Sequence, residues 1–189
     1  MDLQLTDKKA IVTGASRGIG RAIARQLALE GCDVAICART AGPLQEAAAA
    51  LARESGRQVV PIVCDTMNAD SITHFVHTAA RELGGIHIVI NNAARVGGTP
   101  GTVETVSDKD VLRDFEEKVV GYLRTVQAAA PYLKQAGWGR VINISGGAGR
   151  APGTAVSGGI RNIGTVNLSS LGVWPWDATG RGIFRQGSE

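Results

Sequence analysis

A doubly wound α/β domain, with a mostly parallel sheet and helices on both faces, is the fold class predicted for this 189-residue chain. Three observations predict it. Five short apolar runs alternate with longer segments whose apolar residues recur at helical spacing, the pattern of strands joined by crossover helices. The first apolar run passes directly into a glycine-rich turn and then into a helical pattern, as a strand-turn-helix unit requires. The length suits one domain, which at this size removes roughly 70% of its unfolded surface from water.

The strands predicted are Ala10–Thr13, Asp33–Ala38, Val59–Cys64, Ile86–Asn91 and Val141–Ile144. In the first helix Ile19, Ile23 and Leu27 share a face, and Gly31 marks its end. The second begins after Pro43 and stacks Leu44, Ala48 and Leu51 before Gly56. The third carries Ile72, Phe75, Val76, Ala79 and Leu83 on one stripe and stops at Gly84-Gly85. The fourth and longest opens on Ser107-Asp108-Lys109-Asp110, which fits a capping box. Val111, Phe115, Val119, Leu123 and Val126 follow on one face, with a kink or early end expected at Pro131. A last helical stretch, roughly residues 159 to 171, is poor in strong helix formers but carries Ile160, Ile163 and Val166.

Composition narrows the function. Hydrophobic residues make up 44% and charged residues 20%, ordinary for a soluble globular protein. The net charge is +3, but the basic residues are scattered and aromatics are only 4%, which argues against a nucleic-acid surface. Cys32, Cys37 and Cys64 read as reduced core thiols and hence a cytoplasmic chain. His74, His77 and His87 show no ligand spacing, so no metal is expected. The N-terminus is no signal peptide, and no apolar run reaches membrane-spanning length.

Residues 13 to 20 read Thr-Gly-Ala-Ser-Arg-Gly-Ile-Gly. Such a turn offers backbone N–H groups and a helix N-terminus to a pyrophosphate. Gly14 permits the tight turn, a later glycine lets the backbone approach the phosphates, and Gly20 allows close packing of helix on strand. A second motif, Asn91-Asn92-Ala93-Ala94, closes the fourth strand. With these two motifs the chain resembles the short-chain dehydrogenase/reductase family, and its 3-oxoacyl-carrier-protein-reductase-like members in particular, from about Leu5 to about Leu168.

The resemblance implies a nicotinamide cofactor held by Gly14, Ser16, Arg17, Gly18, Ile19 and Gly20, with Asp65 at the adenine and Asn91 and Ala93 along the adenosine side. A carboxylate at the end of the second strand selects NAD, whereas an Arg accommodates the 2′-phosphate of NADP. Ala38 stands where NAD-binding members would show Asp, Arg39 follows, and Arg17 can add a second guanidinium. NADP(H) is therefore favoured over NAD(H).

The family reduces a carbonyl or oxidises an alcohol with a Tyr, a Lys, a Ser and an Asn. Ser145 fills the Ser position, whereas the Tyr position falls on Gly158, the Lys position on Asn162 and the Asn position on Lys118. A one-residue slip would instead place Ser157 and Arg161 at the Tyr and Lys positions. Tyr122 and Tyr132 read as packing residues. Ser145 and Lys118 are thus the candidate catalytic pair, Lys118 being either a solvated lysine or an ammonium facing the nicotinamide pocket with a depressed pKa.

A dinucleotide-binding domain is expected over residues 1–170, lacking the family's last strands, and residues 171–189 form a tail foreign to the family. A shift of reading frame near Ser169 or Ser170 and a natural divergent terminus both account for that tail. Three readings stay open: an oxidoreductase with an altered centre acting on a small carbonyl or alcohol, a non-catalytic dinucleotide- or partner-binding protein, and a truncated product whose fifth strand is an exposed edge. The resemblance also implies self-association through the fourth and last helices.

Overall fold

Five parallel strands lie in the order β3-β2-β1-β4-β5 in the computed structural model, which describes residues 3–95, 98–149 and 156–170. They are β1 (Lys9–Thr13), β2 (Asp33–Ala38), β3 (Val59–Val63), β4 (Ile88–Asn91) and β5 (Arg140–Asn143). The helices are α1 (Gly18–Leu29), α2 (Ala41–Ser55), α3 (Ala69–Leu83), α4 (Asp108–Phe115), α5 (Gly121–Gln135) and α6 (Val156–Ser170). The predicted class holds, with strand ends displaced by one or two residues. Ile86, for example, is buried just ahead of β4.

Side chains alternate across a pleated strand, so a sheet covered on both sides needs apolar residues at successive positions. In β1, Ile11 joins a core with Phe75 and Val76 of α3 and Leu133 of α5. Ala10 and Val12 face the other way, against Ala24 of α1 and Leu44 and Leu51 of α2. The central pair β1 and β4 is where strand order reverses, and a crevice opens at the carboxyl ends of such strands. Both the glycine turn and the Asn-Asn-Ala-Ala motif emerge there.

Four helical expectations require correction. Ile19 is 65% exposed and belongs to the crevice mouth; the buried face of α1 is Gly20, Ala24 and Ala28. Helix α2 starts at Ala41, ahead of Pro43, because the N–H that proline lacks is one the first turn leaves unbonded anyway. The long fourth helix runs through Pro131 and is interrupted earlier, by a π-helical turn at Glu116–Val120. That wider turn rotates the next segment, α5, so Tyr122, Thr125, Ala129 and Leu133 face inward and Leu123 is exposed. In α6 the apolar residues that helical spacing would turn inward face out: Ile160, Ile163 and Val166 are exposed, while Ser157, Arg161, Asn162 and Thr165 are buried.

The capping of α4 is as expected, with Ser107 accepting from the Asp110 N–H. Among the described residues β5 is the outer strand on its side of the sheet. The tail at 171–189 lies outside the described residues.

Candidate active site

The glycine turn is built as a cradle. Gly14 and Gly18 take φ of +68° and +59°, in the left-handed region that favours glycine. A Cβ on Gly20 would stand 2.4 Å from the Gly14 carbonyl oxygen, so α1 packs directly on the turn. A Cβ on Gly18 would meet nothing within 4 Å and would point into open space. Helix α1 begins there with no side-chain cap from Arg17 and no acidic residue in its first turn. An uncapped helix start of this kind can receive an anion.

The second motif locks this cradle. Asn92 Nδ2 donates to the carbonyls of Thr13 and Gly14, at 3.0 and 3.1 Å. Thr13 Oγ1 in turn accepts from the N–H groups of Asn92 and Ala93. Asn91 lies deeper than the resemblance implied. Its side chain is fully buried and donates to the Tyr122 carbonyl and to Asn143 Oδ1, tying β4 to α5 and β5 below the crevice floor. Asn92, part of the quoted motif but given no role by the resemblance, is the asparagine that shapes the turn.

A cavity of about 1140 Å³ runs from the turn across the sheet's carboxyl end. Gly14, Ser16, Arg17, Gly18, Ile19, Arg39, Asp65 and Ala93 line it, and Asn91 and Gly20 support it from beneath. Arg17 and Arg39 are exposed and line the same cavity as Ala38. Asp65 accepts from the Met67 N–H through Oδ1, which fixes the turn after β3.

At the far end the cavity is lined by Lys118, Ser145, Gly146, Gly158, Arg161 and Asn162. The π-helical turn carries Lys118 inward, where it is 5% exposed and donates from Nζ to Asn162 Oδ1 at 2.7 Å. Burial, reinforced by the charge of Arg161, lowers its pKa from 10.5 to about 8. The ammonium and amide therefore meet in space on helices opposite to those where the resemblance places them. Ser145 Oγ donates to the Asn162 carbonyl at 3.1 Å.

No phenol reaches this end from the described residues. Tyr122 is buried, donates its hydroxyl to the Ile144 carbonyl, and has its pKa pushed upward by that burial. Gly158 lines the cavity, whereas Ser157 turns its hydroxyl to Asp114. Of the two registers, the ungapped one thus matches the positions facing the cavity at Gly158 and Asn162, with Arg161 beside them.

A buried network lies beside the π-helical turn that carries Lys118. Asp114 is fully buried and takes hydrogen bonds from Arg95, Ser157 and both the N–H and hydroxyl of Thr99. Burial pushes its carboxyl up, and the bonds from Ser157 and Thr99 with the charges of Arg161 and Arg95 outweigh it, holding Asp114 below the usual range. Arg95 also pairs with Glu117. Nothing in the periodicity marks these residues, because a network of this kind is assembled from a loop, a helix and a π-helical turn.

A model of the short chain dehydrogenase family matches residues 8–158. The chain belongs to the short-chain dehydrogenase family. An uncharacterized oxidoreductase of Staphylococcus aureus (strain MW2) is 39% identical over 141 residues, which cover 75% of this chain and 59% of that protein. The L-sorbose reductase of Gluconobacter frateurii, solved with NADPH and L-sorbose, superposes with a TM-score of 0.86 at 26% identity, over 90% of this chain and 65% of that one. An NAD+-bound xylitol dehydrogenase gives 0.83 at 27%, over 89% and 64%. The chain thus spans less than two thirds of the length of these relatives.

The pKa of Lys118 has a consequence for stability. The unfolded chain holds this proton at pH values where the folded chain has lost it, so the lysine disfavours the fold below about pH 8 and the penalty fades toward 10.5. The unfolding free energy of the parent, relative to Lys118→Met, is expected to rise across that window. Denaturant titrations at each pH read the difference; a constant value would place the ammonium in water.

Proposed function

We propose that this chain is an NADP(H)-dependent oxidoreductase acting on a carbonyl or alcohol, with Lys118 as its proton donor and acceptor. The observation that carries the reading is one cavity with a glycine cradle at one end and a buried, hydrogen-bonded lysine of lowered pKa at the other. The cradle fits a dinucleotide because a Cβ at Gly18 would stand in free space beside uncapped helix N–H groups. When bound, the reduced cofactor supplies hydride to a carbonyl carbon. Gly14, Ser16, Gly18 and Ile19 hold the pyrophosphate, Asp65 and Ala93 the adenosine side, and Arg39 with Arg17 the 2′-phosphate.

At the other end Lys118 gives its Nζ proton to the forming alkoxide and takes it back in the reverse direction. A pKa of about 8 suits both directions near neutral pH. Asn162 orients the ammonium, and Ser145 stands beside it as a hydroxyl for the substrate oxygen. One observation favours the non-catalytic reading instead, the glycine at position 158 where the family uses a phenol. A screen of carbonyl substrates with NADPH separates the two: binding with turnover supports the oxidoreductase, and binding without turnover the binding protein.

The cofactor preference has its own test. Arg39→Ala is expected to weaken NADPH by about ten- to a hundred-fold, the scale of a charge-assisted hydrogen bond, and to leave NADH nearly unchanged. Equal losses in calorimetric titrations would remove the 2′-phosphate assignment. The same reading carries a cytoplasmic location and self-association through α4, α5 and α6, supported by exposed Leu112, Ile160, Ile163 and Val166. Sedimentation of the parent against Ile163→Glu tests that association.

A further inference from the structure

The lysine end of the cavity holds more positive charge than its chemistry requires. Arg161 is 3% exposed and forms part of the cavity wall. Its Nη2 donates to the Arg95 carbonyl at 2.6 Å, while Nε and Nη1 are shielded from water and have no hydrogen-bond partner among the described residues. The carboxylates nearby are already committed. Asp114 accepts from Arg95, Thr99 and Ser157, and Glu117 accepts from Arg95. Neither Arg161 nor Lys118 has an ion-pair partner among the described residues.

Asp114 offsets part of the Arg161 charge without bonding it, but two buried cations close enough to repel one another, with unused N–H groups, are costly unless a further anion joins them. Glycines at 146 and 158 leave the wall beside them without side chains. Resting on the oxidoreductase reading, we propose that the lysine end is a carboxylate subsite, and that the substrate is a short oxo acid or the hydroxy acid it becomes. Arg161 holds the carboxylate through Nη1, and the carbonyl oxygen, a bond or two away, faces Lys118 Nζ. The reaction balances as reduction of the carbonyl carbon by hydride with one proton from Lys118, the carboxylate being unchanged. Positive charge at this end also draws such substrates from solution.

The test is binding without turnover. The full chain, saturated with NADP+, is titrated calorimetrically with pyruvate and 2-oxohexanoate and with their methyl esters. Either acid is expected to bind at least tenfold more tightly than its ester. Arg161→Met is expected to reduce that ratio to within about twofold while NADP+ affinity stays unchanged. Should Arg161→Met fail to fold, Arg161→Lys is expected to show an intermediate ratio. Acid and ester binding alike in the parent, with NADP+ bound, overturns the subsite and leaves the oxidoreductase reading standing. A ratio that survives in Arg161→Met or stays at the parent value in Arg161→Lys overturns the role of Arg161. Absence of NADP+ binding removes both the subsite and the reading beneath it.

Discussion

Replacing Lys118 with Met is expected to lower carbonyl reduction by about 10²-fold or more while NADPH affinity stays nearly intact. Met keeps the length and apolar stem, and removes only the ammonium that bonds Asn162. The parent's reduction rate is expected to fall as pH rises through about 8, where Nζ loses the proton it must give, and alcohol oxidation to rise through the same limb. Both limbs should vanish in Lys118→Met. A variant with the parent's rate and pH profile would remove the proton-transfer role.

Gly18→Val is expected to abolish binding of NADPH and NADH together while the fold survives. The added side chain meets no protein atom within 4 Å of its Cβ, so it enters the space at the start of α1 that the pyrophosphate needs. The φ of +59° adds strain of order 1–2 kcal/mol, which a domain of this size tolerates. Gly20 would be a poorer probe, since a Cβ there collides with the Gly14 carbonyl and the turn itself must move. Circular dichroism establishes the fold and fluorescence of bound NADPH the affinity; unimpaired binding would show that the turn is not the phosphate site.

The sheet is legible in the sequence because each strand is a short apolar run that must be covered on both faces, and the turn is legible because glycines at 14, 18 and 20 have distinct steric jobs. Helix α6 departs from its periodicity for a physical reason. Periodicity assumes that apolar faces turn inward, but here the inward face carries Arg161, Asn162 and Thr165 because it walls a polar site, leaving Ile160 and Ile163 outside. The π-helical turn is not legible either. Its neighbourhood is tertiary: Gly121 lies so close against the Thr66 carbonyl that a Cβ would stand 2.9 Å away. Lys118 emerges from the resemblance, yet its burial and its bond to Asn162 depend on two helices that the sequence keeps 44 residues apart.

The cofactor site underlies every functional assignment made for this chain, and parallel calorimetric titrations of the full chain with NADPH and NADH test it most directly. Saturable one-to-one binding is expected for both, with NADPH tighter by about tenfold or more if, as proposed, Arg39 and Arg17 meet its 2′-phosphate. Failure of either cofactor to bind, or NADH binding as tightly as NADPH, would contradict it.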